Sequence, residues 1–209
     1  LGAVADYYTR SVTVFNTSTG LVLGTVFLNT SGGVVGDCLV NPAGTRAFAT
    51  DFNSRVWVID LTASPPALAS GPNPIPISNY GEDLAVTGDG RFLLVSDGSA
   101  YQPISVIDVA SQTEVSTFHL GHDCNSIDVG SDGSVLVSSY SWSRVRRLTI
   151  DSAGVLTDTG ESLNVPYYPI NVYCAPGGQA GIAIGGYGTI TSFSIPGLVP
   201  LDTGYLWYS

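Results

Sequence analysis

The chain has 209 residues, 44% hydrophobic and only 11% charged, which excludes intrinsic disorder, a state that needs low hydrophobicity and high charge. Its net charge is −10 and every basic residue is an arginine. A nucleic-acid stripe is therefore not expected, because the one basic cluster, Arg144, Arg146 and Arg147, reads as the solvated face of a single strand. No apolar run reaches the ~18 residues of a membrane helix, and the longest, Gly20–Leu28, reads as a buried strand.

In chain order, residues 1–29 read as an incomplete unit. Ala3–Asp6, Ser11–Asn16 and Leu21–Leu28 match the second, third and fourth strands of a repeat whose first strand is missing. Fuller units follow at 30–77, 78–120, 121–166 and 167–209. Their turn residues Pro42, Gly88, Ser131 and Pro176 recur at roughly 45 residues, a spacing typical of repeat arrays. The unit at 78–120 shows the pattern best. Leu84–Val86 runs into Gly88-Asp89-Gly90, Phe92–Val95 ends at Ser96-Asp97-Gly98, and Ile104–Val109 alternates. Fourth strands are expected near Ala67–Ile77, Glu114–Leu120, Thr157–Val165 and Leu201–Trp207. Apolar residues alternate with period 2 between Gly, Pro, Asn and Asp joins, and no segment sustains a 3.6 period, so essentially no helix is expected. Four-stranded units in tandem, each too small to bury both its faces, pack as blades of a β-propeller. The expected fold is all-β, one propeller domain over 1–209. Five antiparallel blades are visible, either as a small ring or as part of a seven-bladed one.

The register carries a resemblance. An apolar triplet and a Pro- or Gly-containing turn precede Phe48-Ala49-Thr50-Asp51, Leu94-Val95-Ser96-Asp97 and Leu136-Val137-Ser138-Ser139, and Ser105-Val106-Ile107-Asp108 forms a third strand. This resembles the YVTN-type repeat of bacterial and archaeal surface β-propellers and the wider lactonase-like propeller superfamily. No unit spells Tyr-Val-Thr-Asn, and the Gly-His and Trp-Asp pairs of WD40 repeats are absent. The resemblance implies a propeller that usually closes at seven blades. Function transfers weakly from it, because the repeat motif is structural.

In such a fold the first strand of each unit lines the axis, and the loops entering it lie beside those linking the second and third strands. Asp37, Asp83, Ser126 and Asn171 then ring a channel mouth, with Glu82, Asp123 and Asn125 beside them. Converging oxygens of this kind hold Ca²⁺ or cap strand starts by Asx-type hydrogen bonds; no other cofactor is expected. On the same face an aromatic follows the second strand: Tyr7, Phe52, Tyr140 and Tyr187. Tyr8, Tyr101, Trp142 and the Tyr167-Tyr168 pair join them. These rings are either wedges between blades or a stacking surface for a sugar or peptide. His122, beside Asp123 and Cys124, is a candidate metal ligand or acid/base with Asp83 or Glu82. Cys38, Cys124 and Cys174 match no zinc or redox spacing; a Cys124–Cys174 bridge is conceivable, and buried thiols are the commoner outcome.

No nucleophile–base set or phosphate loop appears. The expected function is a non-enzymatic, extracellular or cell-surface module of a surface layer or assembly. It would bind a protein or glycan partner through Asp37, Asp83, Ser126, Asn171, His122, Tyr7, Phe52, Tyr140, Trp142 and Tyr187. Self-assembly, or a chain that donates the strand missing from the first unit, is the other form of partnership. The alternative is a lactonase-like hydrolase or isomerase working with Asp37, Asp83 and His122. The acidic, lysine-free surface motivates the location; the sequons at Asn16 and Asn29 count only where the source glycosylates. Because Leu1 stands where an open reading frame has Met, the chain is expected to be processed or part of something longer.

Overall fold

A computed structural model describes residues 1–29, 33–99 and 101–205. Five antiparallel sheets follow one another along the chain. The first holds β1 (Gly2–Asp6), β2 (Ser11–Phe15) and β3 (Val22–Phe27). The second holds β4 (Val35–Val40), β5 (Arg46–Asp51) and β6 (Arg55–Asp60), with the short β7 (Ala67–Leu68) and β8 (Ile75–Pro76) both on β6. The third runs β9 (Leu84–Val86), β10 (Phe92–Val95), β11 (Ile104–Asp108), β12 (Thr113–Phe118). The fourth runs β13 (Ser126–Val129), β14 (Ser134–Ser139), β15 (Arg144–Ile150), β16 (Leu156–Asn164). The fifth runs β17 (Pro169–Cys174), β18 (Ala180–Gly185), β19 (Thr189–Ser194), β20 (Pro200–Tyr205). Sequential antiparallel order within every sheet is the up-and-down arrangement of propeller blades.

Continuous apolar runs such as Phe92–Val95 arise because both faces of a central blade are buried. Leu93 and Val95 pack against the second blade with Phe48, Val56 and Val58. Phe92 and Leu94, one residue out of step, pack against the fourth with Ile127, Val135 and Val137. Matching clusters join blades one and two around Val12, Ala49 and Trp57, and blades four and five around Leu136, Val172 and Phe193. The core is thus a series of inter-blade layers.

Two local expectations need correction. The fourth strand of the second blade is broken into β7 and β8 because Pro65, Pro66, Pro72, Pro74 and Pro76 fall across it, and proline has no N–H for a ladder. The apolar run Gly20–Leu28 contains β3, which is largely exposed rather than buried, with Val22 at 58% and Phe27 at 69%. As expected, the described residues hold no α-helix, and a single 3₁₀ turn lies at Gly186–Gly188. The expected strand end at Trp207, and Thr30 and Ser31 of the second sequon, lie outside the described residues. All three cysteines are free thiols. Among the described residues no helix is long and apolar enough to cross a membrane.

Gly181 shows how tightly the fourth and fifth blades interlock. A Cβ there would lie 2.6 Å from Phe193 Cε2 and 2.9 Å from Leu136 Cδ1, and both side chains are fully buried. Gly181→Ala is expected to cost about 1–3 kcal/mol by overpacking, read from urea unfolding; an unchanged midpoint would contradict this packing.

Candidate functional site

The first strands β4, β9, β13 and β17 are sheet edges, and they lie against one another around the axis. An edge strand exposes N–H groups that need acceptors. Here the preceding blade supplies them from its side chains. Ile127 donates its N–H to Asp83 Oδ2 at 3.0 Å, Val172 to Ser126 Oγ at 3.3 Å, and Cys174 to Asp128 Oδ2 at 2.7 Å. Asp83 and Ser126 thus serve as inter-blade stitches.

The same carboxylates meet in a shielded environment. Burial, and then the charge of Asp83 with which it hydrogen-bonds, push Asp37 up to about 7. Burial, then Asp97, Asp83 and Asp123, raise Glu82, and burial raises Asp128. Tyr173 is raised by burial and by Asp83, Asp128 and Asp37. The ion pairs of Arg55, Arg91, Arg146 and Arg147 all go to other carboxylates. Burial also pushes the Cys38 thiol to about 11 and Cys174 to about 12, and raises Cys124, so all three are protonated and unreactive. Among the described residues no group of three or more His, Cys, Asp or Glu side chains is arranged to hold a metal ion.

His122 is buried and fully engaged. Its Nε2 lies 3.3 Å from Arg146 Nη1, which can only donate, so Nδ1 carries the hydrogen and donates it to the Asp123 carbonyl at 2.9 Å. The ring packs on Trp142 at 4.5 Å between centroids, and Arg146 is ion-paired to Asp158. The structure therefore brings His122 together with Trp142 and Arg146, and Asp37 together with Asp83.

A further set of carboxylates, whose role sequence reasoning missed, holds the loops. At the end of β5, Asp51 is fully buried and accepts from Trp57 Nε1 at 2.9 Å and from Arg55. Asp97, at the same place in the third blade, accepts from the N–H groups of Tyr80 and Ser99, each at 2.6 Å. In the fourth blade that place is Ser139, and Asp123 reaches across to accept from its hydroxyl at 2.8 Å and from Ser141 N–H at 3.0 Å. Asn125 Oδ1 accepts from Tyr140 N–H at 2.9 Å. The signal was the repeated tetrad ending in Asp51, Asp97 and Ser139.

These anchors carry aromatic rings to the surface. Tyr7, Tyr8, Phe52, Tyr101, Tyr140, Trp142 and Tyr187 lie on second-to-third-strand loops; Tyr80, Tyr167 and Tyr168 lie on loops into first strands. Their exposures run from 40% at Phe52 to 90% at Tyr8, too high for wedges between blades. Tyr140 stacks on Tyr168 at 4.8 Å and 20°, and Tyr167 meets Tyr187 edge-on at 5.6 Å. Tyr101, Tyr167, Tyr168 and Tyr187 all have left-handed backbone, with φ of 80°, 57°, 47° and 57°. For bulky residues that conformation costs on the order of 1–2 kcal/mol each, and such strain clusters at functional surfaces.

No family model matches the chain, and no curated protein matches it in sequence. Solved structures do match. A functionally unknown protein from Desulfotomaculum acetoxidans DSM 771 is similar at TM-score 0.82 and 21% identity, over 97% of this chain and 65% of its own. A candidate 6-phosphogluconolactonase from Bacteroides fragilis NCTC 9343 is similar at 0.78 and 17%, over 98% and 67%. The dihydro-heme d1 dehydrogenase NirN is similar at 0.72 and 13%, over 99% and 44%. The fold is a β-propeller. The chain spans about two thirds or less of the length of these relatives, and at such identities they establish the fold alone.

Proposed function

We propose that the chain is a non-enzymatic binding module, extracellular or at the cell surface, whose protein or glycan partner is contacted by the tyrosine-rich loop face. The observation that carries this reading is the concentration of exposed, mutually stacked tyrosines on left-handed backbone. Rigid aromatic faces beside hydrogen-bonding groups give contact area at low entropic cost. Tyr140 and Tyr168 are the centre of the surface because their rings already hold each other in place. Thiols held protonated and an engaged His122 leave little for nucleophilic chemistry nearby.

The test is a binding screen with neutral oligosaccharides and proline-rich peptides, read by tyrosine fluorescence. Tyr140→Ala/Tyr168→Ala is expected to weaken any ligand found by at least about tenfold, or ~1.4 kcal/mol. Equal affinity for the double variant would remove this surface from consideration.

One observation favours a second reading. A carboxyl poised near neutrality beside another carboxylate, as Asp37 is beside Asp83, suits general acid/base work, and a lactonase-type propeller is among the similar structures. The mouth, however, gathers the carboxyl groups of Asp37, Glu82, Asp83 and Asp128, a poor setting for an anionic sugar phosphate. Turnover on a panel of neutral lactones, abolished by Asp37→Asn, would establish that reading; a flat panel would dismiss it.

A further inference from the structure

The third blade departs from its neighbours at one position on the loop face. In the first, second and fourth blades an aromatic follows the residue that ends the second strand: Tyr7 after Asp6, Phe52 after Asp51 and Tyr140 after Ser139. In the third blade Gly98 follows Asp97. The reason is steric. A Cβ on Gly98 would overlap Glu82 Oε2 and lie 2.9 Å from Asn125 Nδ2. A carboxylate and an amide thus take the place of the side chain, and glycine permits that close approach.

Glu82 and Asn125 hold equivalent positions, just ahead of Asp83 and Ser126 in successive blades. Their backbones are fixed: Glu82 N–H donates to the Ser96 carbonyl at 2.9 Å and Asn125 N–H to the Ser138 carbonyl at 3.0 Å. Their side chains make the same contact one repeat apart. Glu82 Oε2 accepts from Gly98 N–H at 2.6 Å, and Asn125 Oδ1 accepts from Tyr140 N–H at 2.9 Å. Glu82 Oε1, an acceptor, and Asn125 Nδ2, a donor, are left without hydrogen-bond partners among the described residues. Glu82 is exposed and Asn125 half-buried, so a ligand reaches both. Tyr140 completes the group: it stacks on Tyr168 and is still 46% exposed, which leaves ring surface open.

We propose that the notch at Gly98 is a subsite for one neutral pyranose of a glycan, an inference that rests on the loop-face reading and names its ligand. Adjacent ring hydroxyls each donate and accept. One gives its hydrogen to Glu82 Oε1 and the other accepts from Asn125 Nδ2, while the C–H face of the sugar lies on Tyr140. A lysine ammonium only donates and leaves Asn125 Nδ2 unmatched. An acidic sugar meets Glu82 with Asp97, Asp83 and Asp123 around it, and like charges repel. A neutral ring satisfies both free atoms.

The test is an NMR titration of the isotope-labelled chain with maltotriose, cellotriose and mannotriose, and separately with a proline-rich peptide. The Asn125 side-chain amide and Tyr140 backbone amide resonances are expected to move with at least one trisaccharide and to stay still with the peptide. Two variants keep each loop anchor and change only the ligand-facing atom. Asn125→Asp retains an acceptor for Tyr140 N–H, and Glu82→Gln retains one for Gly98 N–H. Each is expected to weaken the trisaccharide about tenfold, the scale of one lost hydrogen bond. Trisaccharide binding weakened by Tyr140→Ala/Tyr168→Ala but equal in both of these variants overturns the subsite and leaves the loop-face reading standing. Resonances moved by the peptide and by no trisaccharide do the same. Silence to every probe removes the subsite and the loop-face reading together. Should either variant not fold, the parent decides: a trisaccharide that binds without moving the Asn125 side-chain amide overturns the proposal.

Discussion

Asp51→Ala is expected to destabilise the protein by about 3–5 kcal/mol, the cost of breaking a buried ion pair and leaving its partner charge uncompensated. Asp51 is fully buried and holds both Arg55 and the indole N–H of Trp57. Trp57 is in turn part of the layer joining the first two blades. Removal of the carboxylate strands a guanidinium and a buried donor at the root of that layer. Asp51→Asn keeps an acceptor for Trp57 and is expected to cost less than the alanine. Domain stabilities are on the order of 5–15 kcal/mol, so urea unfolding resolves the effect easily. A loss below about 1 kcal/mol for Asp51→Ala would show that the network contributes little.

Stability is expected to fall as pH rises from 4 to 8, against the usual behaviour of carboxylates. The folded-state value of Asp37 is raised from 3.8 to about 7, so the native state retains a proton that the unfolded chain has already released. That contribution is fully present below the unfolded value and is lost as pH rises through about 7. Glu82 and Asp128 are also raised and act in the same direction. Turn aspartates such as Asp6, Asp60 and Asp151 are lowered by hydrogen bonds within their turns and act in the opposite sense at acid pH. The rise of Asp37 from 3.8 to about 7 bounds its effect at about 4 kcal/mol, and water and relaxation of the pair reduce it to on the order of 1–2 kcal/mol. Asp37→Asn is therefore expected to raise Tm at pH 8 by about 2–8 °C and to flatten the pH profile. A profile identical to that of the parent would mean Asp37 is ionised and solvated at neutrality.

The blades were legible in the sequence because their signals are local: period-2 alternation, turns at Pro42, Gly88, Ser131 and Pro176, and Asp or Ser after each second strand. The site was legible only in part. Placing Asp37, Asp83, Ser126 and Asn171 at one level follows from the repeat, but the use of Asp83 and Ser126 as acceptors for the next blade depends on contacts about 45 residues away, as between Asp83 and Ile127. His122 looked available because its neighbours in sequence are Asp123 and Cys124; its partners in space, Arg146 and Trp142, come from the following hairpin. The aromatic register was visible, while exposure, which separates a wedge from a binding surface, depends on how blades pack.

The most direct test of binding at the loop face is one titration run on three proteins with the same ligand, drawn from the oligosaccharide and peptide screen. Tyr140→Ala/Tyr168→Ala is predicted to lose at least about tenfold in affinity, and Asp37→Asn to bind as the parent does. An unaffected tyrosine variant with binding lost in Asp37→Asn would move the site to the channel and contradict the account.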